Sequence, residues 1–216
     1  MTRHVATTES PYLLNVEAIP RDSETFGDWE TIFGRDRPLR VEVGVGNSPF
    51  LIELAKLEPE YNYVGLEYCY RRVLKFLQRV HASETENIRF FQLAAEKFLR
   101  EAVAPGGLDH IFVAFPDPWP KNKHRKHRFV REAVVGVLAR RIRPGGGVSL
   151  KTDAPAYAEQ MLRVMDADPA FESLGTPGEY AERPRVPFPT QFELRFVAEK
   201  KPIYYLEYRK KEREDE

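Results

Sequence analysis

Phe115-Pro116-Asp117-Pro118-Trp119-Pro120 places a carboxylate and an indole in a segment with proline at every second position. Each proline fixes its own φ and biases the preceding residue away from the helical region, so Asp117 and Trp119 are expected in a stiff, extended turn. Lys121-Asn122-Lys123-His124-Arg125-Lys126-His127-Arg128 follows at once, with five Lys/Arg and two His in eight residues. This is a local positive field suited to phosphate. The apolar run 108–115 before the turn reads as a buried strand. Open α/β folds put their chemistry at the carboxyl ends of such strands. An acid, an aromatic ring and a cationic loop at that place point to an enzyme acting on a base of a nucleic acid.

A second constellation is Val41-Glu42-Val43-Gly44-Val45-Gly46-Asn47-Ser48, at a strand-to-helix turn. Gly44 and Gly46 let the backbone approach a ligand closely, although a bare Gly-x-Gly also fits a plain tight turn. Glu67 ends the next strand, where nucleotide-binding α/β folds use an acid to bond ribose hydroxyls. A dinucleotide site wants a third glycine where the helix meets the pyrophosphate, and Pro49 stands there. Glu42 would repel a pyrophosphate but suits a cation. S-adenosylmethionine, with a sulfonium, an ammonium and no phosphate, fits these residues better than a nicotinamide dinucleotide.

The elements that must carry these residues follow from periodicity. Strands are predicted at 39–45, 62–68, 88–93, 108–115 and 148–152, with two late ones at 171–174 and 203–209. Helices are predicted at 50–57, around Val73 to Val80, at 95–103, from Phe129 to Ile142, and at 155–167. Pro144-Gly145-Gly146-Gly147 reads as a helix stop. Alternating strands and helices imply a largely parallel sheet, and the two late strands imply a terminal antiparallel hairpin. Residues 1–38 read as an arm or irregular cover, and 39–216 as one domain.

Bulk properties set bounds. The chain has 216 residues, 33 basic and 33 acidic, so positive charge is a matter of placement and not of sum. The single cysteine, Cys69, excludes an internal disulfide framework and reads as a small buried filler. His124 and His127 sit in a cationic loop, a poor setting for a metal, and no metal is expected. Neither a membrane span nor a secretion signal is apparent, and the expected location is the cytoplasm.

Three stretches resemble the bacterial tRNA (guanine-N7)-methyltransferase family: Pro116 to Lys121 with His124, Lys126 and Arg128; Thr152-Asp153 with Tyr157-Ala158; and Thr190-Gln191-Phe192-Glu193-Leu194-Arg195. The likeness runs from about Leu39 to Tyr208. It implies a Rossmann-like class I methyltransferase, with a mainly parallel seven-stranded sheet and helices on both faces. It also implies S-adenosylmethionine as methyl donor and N7 of a guanosine in the tRNA variable loop as target. The implied partner is tRNA, bound by a monomer or homodimer. Carried over by position, Glu42, Gly44, Gly46 and Glu67 match the cofactor site. Asp117 matches the catalytic acid, which also contacts the cofactor. Lys121 and Asp153 match substrate contacts, and Thr190 and Glu193 match a late substrate-and-cofactor motif. Lys123, Arg125 and Lys126 are assigned to substrate phosphates by their charge. The chain departs from the family where Asn47-Ser48-Pro49 replaces a further glycine, and at Ala94, where a polar or acidic residue is usual. Backbone atoms of Ala94 or Ala95, or the carboxylate of Glu96, would serve there instead.

Blander roles compete at several positions. Asp117 could cap a turn, Trp119 could cover the sheet end, and Asp153 could cap the helix after it. Glu193 and Arg195 could be a surface pair, although the prolines before them favour reaching the site. An adenine or cytosine amino-methyltransferase would share the acidic turn but leave 190–195 unexplained. A non-catalytic RNA-binding module would leave Glu42 and Glu67 unexplained.

Overall fold

The computed structural model describes residues 10–14, 27–186 and 189–212. The chain divides into two compact units, Met1–Val103 and Ala104–Glu216.

The first unit holds β1 (Leu13–Leu14), α1 (Trp29–Phe33), β2 (Leu39–Val43), α2 (Phe50–Leu57), β3 (Asn62–Leu66), α3 (Tyr70–Ser83), β4 (Ile88–Phe91) and α4 (Ala95–Glu101). Its strands lie in the order β1-β4-β3-β2, every pair parallel. β3 is buried along its whole length, as expected of a strand covered on both faces. A side chain at Gly65 in its middle would press within 3.1 Å of Phe90, Val45 and Leu51, so the glycine admits their packing. Phe76, Phe90, Phe91 and Phe98 are fully buried. Each contributes about 1.5–3 kcal/mol by leaving water.

The second unit holds β5 (Leu108–Ala114), a 3₁₀ helix (Asn122–His127), α5 (Glu132–Arg141), β6 (Ile142–Thr152), α6 (Pro155–Asp166), β7 (Phe171–Ser173), α7 (Gln191–Ala198) and β8 (Tyr204–Lys210). Strand order is β5-β6-β8-β7. β5 and β6 are parallel, while β8 pairs antiparallel with both β6 and β7. All seven expected strands are present, and β1 is an eighth.

Four features differ from the sequence reading. β6 begins at Ile142, so the Pro144-to-Gly147 run lies inside a strand, beside a register shift between Leu108 and His110. Those glycines serve close approach: a Cβ at Gly146 would sit 2.6 Å from the Asp109 carbonyl oxygen, and one at Gly147 would run into the His110 ring. α7 occupies a stretch for which the sequence periodicity predicts no element. Within 1–38, β1 and α1 are regular elements too short to show a period, and Trp29 of α1 packs 6.2 Å from Phe91 and 5.7 Å from Phe98. Finally, Cys69 is exposed, not a buried filler, because it stands in the tight turn between β3 and α3.

Candidate functional site

In the first unit, β2 delivers Glu42 to the turn before α2, and the residue is 1% exposed. Gly44 and Gly46 adopt left-handed φ values of 74° and 54°. A Cβ at Gly44 would meet nothing within 4 Å, so its backbone faces open space while its φ demands glycine. Ser48 braces this turn: its hydroxyl accepts the Phe50 amide (3.2 Å) at the start of α2.

Glu67 ties two turns together. One oxygen accepts the amides of Tyr68 and Cys69, both at 2.9 Å, and the other accepts the Gly46 amide at 3.2 Å. Arg72 of α3 stands 3.7 Å from that second oxygen. The carboxylate is 6% exposed. An ionised carboxylate offers about four acceptor sites, so three amides leave room for a ribose hydroxyl. Ala94 is the exposed N-cap residue of α4, and Glu96 accepts from Arg100 at 3.0 Å within that helix. Two buried acids beside an open glycine turn fit a cationic nucleoside better than a pyrophosphate, which the acids would repel.

In the second unit, β5 ends in a contorted turn. Phe115 and Trp119 carry positive φ values of 51° and 41°, both directly before proline. The expected extended conformation is therefore absent at these two residues. Left-handed non-glycine residues cost about 1–3 kcal/mol each and persist only where surroundings enforce them. Here Phe192 and Phe196 of α7 pack 6.0 and 5.2 Å from the Phe115 ring. The Arg128 guanidinium donates to the Pro118 carbonyl oxygen at 2.7 Å. Between these anchors Asp117 is exposed to solvent.

The basic loop is a 3₁₀ helix. Lys121, Lys123, Arg125, Lys126 and His127 are exposed, and the rings of Trp119, His124 and His127 form a cluster with centroids 5.2–6.2 Å apart. Arg128 does not belong to this surface. It is 2% exposed, donates to Ala156 and Gln160 of α6, and lies 4.7 Å over the Tyr157 ring. Burial lowers its pKa and pushes the Tyr157 phenol up to about 12, its hydroxyl oxygen accepting the Val130 amide at 2.8 Å.

Asp153 is half-buried and does not cap α6; the N-cap is Ala154, whose amide donates to the Thr152 hydroxyl at 3.2 Å. Thr190 and Glu193 are both buried and form a reciprocal capping box at the start of α7. Glu193 also receives the Lys151 ammonium at 2.7 Å and the Tyr205 hydroxyl at 2.8 Å. Arg195 pairs with Glu199 at 2.7 Å on the exposed side of α7, so it is a surface pair and does not reach inward. Sequence reasoning missed Arg128 as an internal brace and missed α7 altogether. The Thr-x-x-Glu signature at 190–193 would have found α7.

A family model described as "Putative methyltransferase" matches residues 36–206. A Burkholderia pseudomallei protein named tRNA (guanine-N(7)-)-methyltransferase is 37% identical over 184 residues, 85% of this chain and 69% of its own. A protein of the same name from Ectopseudomonas mendocina is 36% identical over 168 residues, 78% of this chain and 71% of its own. Among solved structures, the 16S rRNA methyltransferase KamB superposes with a TM-score of 0.60 at 14% identity, covering 89% of this chain and 98% of that one. A variant 16S rRNA (adenine(1408)-N(1))-methyltransferase from Catenulisporales acidiphilia, solved with SAM as cosubstrate, gives 0.53 at 13% identity, covering 94% of each chain. At such identities these structures establish the fold alone, the Rossmann-like fold of class I methyltransferases. The sequence relatives go further, and this chain belongs to the tRNA (guanine-N(7)-)-methyltransferase family.

Proposed function

We propose that the protein transfers a methyl group from S-adenosylmethionine to N7 of a guanosine in the variable loop of tRNA. The observation that carries this reading is the exposed Asp117, held at the carboxyl end of β5 between two left-handed residues and followed by a cationic 3₁₀ helix. Bound S-adenosylmethionine supplies an electrophilic methyl group. Guanine N7 has an exposed lone pair and no proton, so no strong general base is required. The protein's work is alignment, exclusion of water and charge stabilisation.

In this reading Glu42, Gly44, Gly46, Glu67, Ala94 and Glu96 of the first unit hold the cofactor. Asp117 accepts guanine N–H groups, contacts the cofactor and offsets positive charge gained by the ring. Lys121, Lys123, Arg125 and Lys126 hold phosphates, and Asp153 contacts the substrate. Thr190 and Glu193 act by keeping α7 against Phe115. A loop guanosine is the reachable target, because N7 of paired RNA lies in a narrow, deep groove. The protein acts in the cytoplasm as a monomer or homodimer, with 39–216 as its methyltransferase domain.

The test is transfer from labelled S-adenosylmethionine to bulk tRNA, with the modified nucleoside identified by mass spectrometry. N7-methylguanosine is expected. Asp117→Asn and Asp117→Ala should each lose about a hundredfold or more in turnover while still binding tRNA. Methyl on adenine or cytosine would overturn the assignment, and near-normal turnover in Asp117→Ala would remove that residue from catalysis.

A further inference from the structure

α3 contradicts the electrostatics of an ordinary helix. It carries Arg71, Arg72, Lys75 and Arg79 and no acidic residue from Tyr70 to Ser83. Positive side chains at a helix N-terminus oppose the partial positive charge of the unpaired amides there. α1, α2, α4, α5 and α7 each place an acid in the first turn, and α6 begins with Pro155. Among the described α-helices, α3 alone begins with basic residues and no acid, and Cys69 provides no side-chain cap. Two of the four cations have work inside the unit: Arg72 stands by Glu67, and Arg79 donates to the Asn47 carbonyl oxygen. Arg71 and Lys75 are exposed, one turn apart on the same face, with no acidic partner among the described residues. Gln78 continues that face, and the exposed rings of Tyr68 (78%) and Tyr70 (46%) stand where the chain enters the helix.

We infer that this face of α3 is a second RNA-binding surface, distinct from the 121–127 loop, with Arg71 and Lys75 each engaging a phosphate of the tRNA backbone. The inference rests on the proposed tRNA substrate. Charge complementarity selects the occupant: exposed cations with aromatic rings beside them match a polyanion whose bases can stack on those rings.

The experiment uses the full chain and an unmodified tRNA transcript. Arg71→Gln combined with Lys75→Gln preserves helix propensity and leaves Arg72 and Arg79 in place. The control, Lys56→Ala with Lys201→Ala, removes two charges from exposed pairs with Glu53 and Glu199. The α3 variant should lose about 0.7–0.9 units of log–log salt slope per lost phosphate contact. Its KM for tRNA should rise while kcat, S-adenosylmethionine affinity and melting temperature hold, and the control should keep the parent slope. An unchanged slope in the α3 variant, or an equal loss in the control, overturns the inference. A parent chain that binds RNA through α3 yet transfers no methyl would remove the proposed reaction and leave the surface standing.

Discussion

Glu67 shows how one side chain serves two ends. It was singled out as a ribose acid by its place after β3, and the structure adds that it accepts three backbone amides from two turns. Hydrogen bonds to a charged group are worth about 1.5–3 kcal/mol each, so its removal cannot be a clean test of ribose contact alone. Glu67→Ala should weaken S-adenosylmethionine binding by about tenfold or more in calorimetry, and should also lower the urea midpoint. Glu67→Gln keeps one acceptor oxygen and should fall between the two. Equal cofactor affinity in parent and Ala variant would refute the assignment. The basic loop carries a parallel lesson. Charge type alone put Arg128 with its neighbours, yet it is buried against Tyr157.

At the scale of elements, Arg128 joins the Pro118 turn to α6 and is a positioning residue for Asp117. Lysine lacks the planar fork that serves three acceptors at once, so Arg128→Lys should not rescue what Arg128→Met loses. Both should lower kcat on the order of ten- to hundredfold, with KM for tRNA little changed. A rise in KM with kcat intact would place Arg128 on the RNA instead. The elements with a clear apolar pattern were readable in the sequence: β2, α2, β3 and α6 lie within two residues of their expected bounds. What escaped was set by other means. α7 is as long as α2 but is announced by its cap, not by periodicity. The glycines before Val148 signalled two strands meeting closely, not a helix end. The left-handed φ of Phe115 and Trp119 follows from packing and Arg128, which overrule the local preference before proline. The candidate acids and the cationic loop were readable by type; their bracing was not.

The whole molecule's stability should carry the mark of Glu207. This acid on β8 is 7% exposed, accepts from Ser149 at 2.5 Å and from the Arg185 amide at 3.1 Å, and its pKa is raised chiefly by burial. Lys151 and Arg185 pull in the other direction without overcoming burial. A raised folded pKa means that the proton is held more tightly in the native state. Stability from this group is therefore full below the unfolded value, about 4.3, and lost as pH rises through the folded one. Glu207→Gln should gain on the parent in urea unfolding as pH goes from about 4 to about 8, and a constant difference would exclude this account. The exposed cations of α3 and of the 121–127 loop have a further consequence at this scale. The chain has 33 positive and 33 negative residues, so its cationic faces are matched by acid elsewhere on its own surface. A neutral molecule with segregated charge attracts its own copies most strongly in dilute salt, where screening is weakest. RNA and a second protein molecule then compete for the same lysines and arginines. The free enzyme should cluster and scatter light at low ionic strength, and added tRNA should disperse it.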